Sequence, residues 1–90
     1  MRLETELKKL AEDEIAAQIE ESGLPREDIL DVAMLAFAYA YRYGKIERDE
    51  LVWLANYLGQ AIDIAACDAA KAKYLQRKAK SAAKAGKNDR

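Results

Sequence analysis

The chain predicts an all-α protein, a small three-helix bundle with a long C-terminal helix. Apolar residues recur at spacings of three to five along most of its 90 residues, and only one proline and four glycines interrupt them. A composition of 51% hydrophobic and 34% charged residues fits a folded helical chain and is too apolar for a disordered one. A chain of this length forms one compact domain and buries roughly 60–70% of its unfolded surface. Residues 1–75 are assigned to the bundle and 76–90 to a basic helix end with a frayed tail.

The first helix is expected from Leu3 to about Ser22, where Leu3, Leu7, Leu10, Ala11, Ile15 and Ile19 mark one face between Glu and Lys residues. Gly23 supplies its left-handed stop, and Pro25 cannot continue this helix but can begin the next. Glu27 and Asp28 place negative charge at the positive end of a second helix, about Pro25 to Tyr43.

That second helix is apolar on two sides. Val32, Leu35, Tyr39 and Tyr43 form one stripe at 100° per residue, and Leu30, Met34, Phe37 and Tyr41 form another about half a turn away. A helix apolar nearly all round is central, with neighbours on both sides.

Gly44 ends it, and Ile46 packs on the start of a third helix whose first turn carries Glu47, Asp49 and Glu50. Helical pattern then continues from Arg48 to at least Lys80, roughly 50 Å at 1.5 Å per residue. Gly59 is the single point at which this helix would break. No proline or capping cluster accompanies it, so a continuous helix is expected, with a seam of Leu51, Leu54, Leu58, Ile62, Ala65, Ala69 and Ala72.

No run of about 18 uncharged apolar residues is present, and Met1-Arg2-Leu3-Glu4 turns acidic where a signal segment would turn hydrophobic, so a cytoplasmic protein is expected. The chain has no histidine, which removes the usual general base, the Ser-His-Asp and Cys-His nucleophile systems and His-based metal sites. The lone Cys67 reads as a small packing residue. Neither an enzymatic activity, a cofactor, a metal site nor a small-molecule substrate is expected.

Charge is divided. Residues 1–70 carry 7 Lys+Arg against 15 Asp+Glu, and residues 71–90 carry 8 against 1, so a formal net charge of −1 describes neither part. The carboxylates at Glu12-Asp13-Glu14, Glu20-Glu21 and Glu27-Asp28-Asp31 read as solvated faces and helix-start charge.

Three short segments resemble known motifs. Tyr43 to Leu51, Tyr-Gly-Lys-Ile-Glu-Arg-Asp-Glu-Leu, resembles the second half of an EF-hand loop, but the earlier calcium ligands of that loop would fall on Tyr39, Tyr41 and Tyr43, which carry no carboxylate. The same stretch is similar to the central hairpin of tellurite-resistance TerB-like helical domains, over about 25 residues, and implies an αα-hairpin. Leu54-Ala55-Asn56-Tyr57-Leu58-Gly59 resembles the first helix and turn of a DNA-binding helix-turn-helix, yet the reading helix that would follow carries Asp63 and Asp68.

Trp53, Tyr57 and Ile64 form a second apolar stripe on the long helix, which either contacts a partner or is covered by the first helix. As an interface it would extend over Leu30, Met34, Phe37 and Tyr41 and make a symmetric homodimer. The basic segment, with Lys71, Lys73, Arg77, Lys78, Lys80 and Lys84, is the candidate surface for nucleic acid or an acidic partner, and Tyr74 is its only aromatic. The expected function is a non-enzymatic protein-protein interaction module, an adaptor or inhibitor of a size that suits a phage-type inhibitor of a host complex. The alternative is a nucleic-acid-associated accessory protein working through the basic segment.

Overall fold

A computed structural model describes the backbone of residues 2–88 and the side chains of residues 2–82. All its regular structure is helical: α1 (Glu4–Ser22), α2 (Arg26–Arg42), α3 (Arg48–Leu58) and α4 (Ile64–Asn88). None of these helices is long and apolar enough to cross a membrane.

The first two boundaries follow the local signals. Gly23 adopts φ 70°, and its amide donates to the Ile19 carbonyl at 2.7 Å, closing α1 with a left-handed cap. At the end of α2, the Gly44 amide donates to Tyr41 and the Lys45 amide to Ala40, the paired bonds of a Schellman motif. Ile46, just before α3, is buried in the same core as Leu51. Their spacing is that of a hydrophobic staple across the helix start.

The expected continuous third helix is two helices. Gly59 takes φ 67°, its amide donates to Asn56 at 3.2 Å and the Gln60 amide donates to Ala55 at 3.0 Å, so a complete Schellman motif ends α3. The restart signal is Asp63, whose Oδ1 accepts from the Ala66 amide at 3.1 Å and caps α4. The break resets the helical phase. Leu51, Leu54 and Leu58 remain buried, whereas Ala65, Ala69 and Ala72 are exposed and Ile64, Cys67, Asp68, Lys71 and Tyr74 turn inward instead.

Helix α2 is central, as its composition predicts, and packs against α1, α3 and α4, while α1 also packs against α3. The core joins Leu7, Ala11 and Ile15 of α1 to Ile29, Ala33 and Phe37 of α2 and Leu51, Leu54 and Leu58 of α3. Polar contacts tie the periphery down. Glu50 is 3% exposed, and it accepts from the Glu47 amide at 2.9 Å and from the Arg2 guanidinium at 2.8 Å. Burial raises the pKa of Glu50, but these bonds and the Arg2 amide outweigh it and hold the carboxyl below its ordinary range.

α4 runs in the same direction as α2, with Asp63 near Asp31 at one end and Tyr74 against Tyr43 at the other. Tyr41 donates to Asp68, Arg48 approaches the same carboxylate at 3.7 Å, and the Lys71 ammonium lies 4.2 Å from the centre of the Tyr41 ring. These contacts anchor the first half of α4. Beyond Tyr74 every described side chain of α4 is exposed, so its later turns leave the bundle. The radius of gyration, 15.9 Å, accordingly exceeds the roughly 12 Å of a compact domain of this length.

Candidate functional site

The break at Gly59 changes which surfaces can meet a partner. Ile64 opens α4 instead of continuing α3, so it does not extend a single-helix stripe with Trp53 and Tyr57. Trp53 and Ile64 are partly buried against the core. Trp53 stacks on Tyr57 with ring centroids 5.2 Å apart, and the Tyr57 hydroxyl donates to Glu12 Oε1 of α1 at 3.0 Å. Glu12 also receives both guanidinium nitrogens of Arg26, at 3.0 and 2.9 Å. The Arg26 bonds, then the Tyr57 bond, hold the Glu12 carboxyl below its ordinary range. α1 therefore engages this aromatic pair from within the same chain.

The second helix presents the face opposite to the one expected. Met34, Phe37 and Tyr41 are core residues and Leu30 is partly buried against them, so the interface expected there is occupied by the chain's own packing. Outward instead point Val32, Leu35, Tyr39 and Tyr43, with Leu35 57% exposed and both tyrosines 48%. Ile29, which belongs to neither sequence stripe, is fully buried and turns the core arc toward Ala33 and Phe37.

This exposed row borders a groove between α2 and α4 whose chemistry changes along its length. At the end where both helices start, Asp31 and Asp63 line it. The middle is apolar and passes between Leu35, Ala38 and Tyr39 on α2 and Ala66, Cys67 and Ala70 on α4. Burial, then Asp63 and Asp68, raise the Cys67 pKa, so its thiol stays protonated and apolar in character. At the far end the groove opens into a cleft of about 630 Å³ lined by Arg42, Tyr43, Tyr74, Arg77 and Lys78.

The basic end is shaped by aromatic contacts. Tyr39 and Tyr43 stack with centroids 6.5 Å apart at 17°, and the Arg42 guanidinium carbon lies 5.8 Å from the centre of the Tyr43 ring. Arg42 Nε is buried without a hydrogen-bond partner. Arg42, Arg77 and Lys78 have no ion-pair partner among the described residues. The buried Arg42 Nε costs about 1–3 kcal/mol while it stays unmatched, whereas Arg77 and Lys78 are exposed to solvent.

Of the basic residues expected to bind an acidic partner, Arg77 and Lys78 line this cleft, Lys71 is engaged on Tyr41, Lys73 and Lys80 are exposed elsewhere on α4, and the Lys84 side chain lies outside the described residues. Residues 89–90 of the expected frayed tail lie outside them as well. The helix-turn-helix resemblance does not extend to the tertiary structure, because the principal neighbour of α4 is α2. Sequence reasoning missed Leu35, Tyr39 and Arg42 as surface residues. The available signal was the 29/33/37 spacing, which with Met34 and Tyr41 sets one core arc and leaves Leu35, Tyr39 and Arg42 on the far side of the helix.

No protein-family model matches the chain, and no curated protein or solved structure matches it significantly.

Proposed function

We propose that the chain is a non-enzymatic protein-interaction module, an adaptor or inhibitor, whose contact surface is the α2–α4 groove with its row of Leu35, Tyr39 and Tyr43. The observation that carries this reading is the position of the row: large apolar side chains left uncovered at helical spacing beside a groove with an apolar middle and charged ends. Contiguous exposed apolar surface with a polar surround is characteristic of contact sites, and tyrosine and arginine are enriched among residues that dominate binding energy. A groove between two helices suits an amphipathic helix, whose apolar face fills the middle while charges fix its direction.

A photo-crosslinking residue at position 39 in cells of the native host tests this. The expected result is a crosslinked protein lost on Leu35→Glu, with the variant still folded. Crosslinks only at position 53, or none at either position, would overturn the assignment of this face.

A second reading, a nucleic-acid-associated accessory protein, gains support from one specific observation. Tyr39 and Tyr43, remote from the basic segment in sequence, stand beside Tyr74, Arg77 and Lys78, so stacking surfaces accompany the cations. Three phosphate contacts on a single strand give a log–log salt slope of about −2, at roughly 0.7 per contact. Binding with that slope, abolished by Arg77→Gln with Lys78→Gln, would favour this reading over the first.

A further inference from the structure

We propose that the occupant of the α2–α4 groove is a second copy of this chain, laid antiparallel across a two-fold axis. This inference rests on the groove being a protein-contact surface, and it names the partner. The order of chemistry along the groove carries it: Asp31 and Asp63, then Leu35, Ala38, Ala66 and Ala70, then Arg42, Arg77 and Lys78. Two such grooves placed in the same direction set like charges against each other at both ends. Reversed, each acidic end meets a basic end and the apolar middles coincide.

An isologous two-fold contact requires a surface that is its own complement, and a charge order of negative, apolar, positive is one under reversal. The unmatched groups fit the same arrangement. Asp31 has no ion-pair partner within the described residues, nor do Arg42, Arg77 and Lys78. The carboxylates of the other copy would supply partners to these cations. A stable contact of about 800 Å² per partner is roughly an eighth of the chain's 6384 Å² of surface. In the antiparallel pair the free turns of α4 leave at opposite ends, so the dimer carries one basic arm on each side.

Sedimentation velocity on the full chain, across a concentration series, tests the proposal with charge reversals at exposed positions. Wild type is expected to dimerise. Asp31→Arg alone cancels the negative charge of its end, and Arg77→Glu alone sets a carboxylate against the acidic end of the other copy, so each weakens the dimer by about tenfold or more. An equimolar mixture of the two single variants is expected to recover dimers, because each end then meets its opposite. The Asp31→Arg/Arg77→Glu double variant is expected to recover homodimers for the same reason. Circular dichroism checks that each variant remains helical.

A wild-type chain that is monomeric up to about 1 mM overturns the proposal. So does a dimer indifferent to both reversals, or one that the mixture fails to restore. A monomeric chain whose position 39 still crosslinks to a different protein would retain the groove as a contact surface and remove only the second copy. Absence of both self-association and crosslinking would remove the reading beneath it too.

Discussion

Tyr43 and Tyr74 meet edge to face, with ring centroids 4.9 Å apart at 87°, where α2 has ended and α4 continues alone. Among the described residues the pair is the last aromatic contact before the exposed turns of α4, and Arg77 and Lys78 line the same cleft beyond it. Edge-to-face pairs contribute about 0.5–1.5 kcal/mol beyond the area they bury. Tyr74→Ala is therefore expected to lower stability by about 1 kcal/mol or somewhat more, and a double-mutant cycle with Tyr43→Ala should return a coupling of that size in urea denaturation. A coupling near zero would mean the rings do not hold α4.

Gly59 discriminates two helices from one by sign. Its left-handed conformation penalises any Cβ by about 1–2 kcal/mol, and nothing within 4 Å would clash, so the cost is conformational alone. Gly59→Ala is expected to destabilise by about 1 kcal/mol, Gly59→Asn by less. Were α3 and α4 continuous, the alanine would stabilise by a similar amount. Asp63→Ala, which removes the α4 cap, is expected to cost about 0.5–2 kcal/mol. Chemical denaturation of the three variants reads both signs.

Acid should unfold the chain partly through Glu50 and Glu12. Both carboxyls lie below their ordinary value of 4.5 in the folded state. A depressed carboxylate contributes stability that is complete above its unfolded value and is lost as pH falls through the folded one. Stability is thus expected to be level from neutral pH down to about 5 and to decline below 4.5. Glu50→Gln should be less stable at pH 7 and show a shallower decline, measured as urea midpoints across that range.

Trp53 and Leu35 should separate folding from contact. Trp53→Ala opens space beside the core, and for a partly buried side chain the loss is about 2–3 kcal/mol, below that of a fully buried tryptophan. Leu35→Glu replaces a side chain that is 57% exposed, so its effect on stability should stay within about 0.5 kcal/mol. Thermal melts should move for the first and not the second, while the crosslink at position 39 should respond to the second.

Local rules read the helices and two of the three stops well. Gly23 and Gly44 each follow an apolar-periodic run, and a left-handed cap depends on a few adjacent residues, so both boundaries are legible from the chain alone. Gly59 is equally visible, but by itself it reads as a tolerated helical glycine; only together with Asp63 as an N-cap does it mark a stop and a restart. Joining α3 to α4 across that break carried the phase of Leu51, Leu54 and Leu58 onto Ala65, Ala69 and Ala72, which are exposed.

The composition of α2 also announced its central place among α1, α3 and α4, although only one of its two apolar stripes is covered. The choice of side was not local. Both stripes repeat at the same helical period, and what buries Met34, Phe37 and Tyr41 is the packing of α2 against α1, α3 and α4, which periodicity within α2 does not encode.

The sequence by itself determined that this protein is helical, where α1 and α2 end, that α2 is central and that its charge is divided between an acidic body and a basic end, since each depends on near neighbours or on composition. Only the tertiary structure decided that Leu35, Tyr39 and Tyr43 face outward, and that Tyr43 meets Tyr74 beside Arg77 and Lys78. Those residues become neighbours because α3 returns the chain to the start of α2 and α4 then runs parallel to it, a long-range pairing that spacing along one helix cannot express.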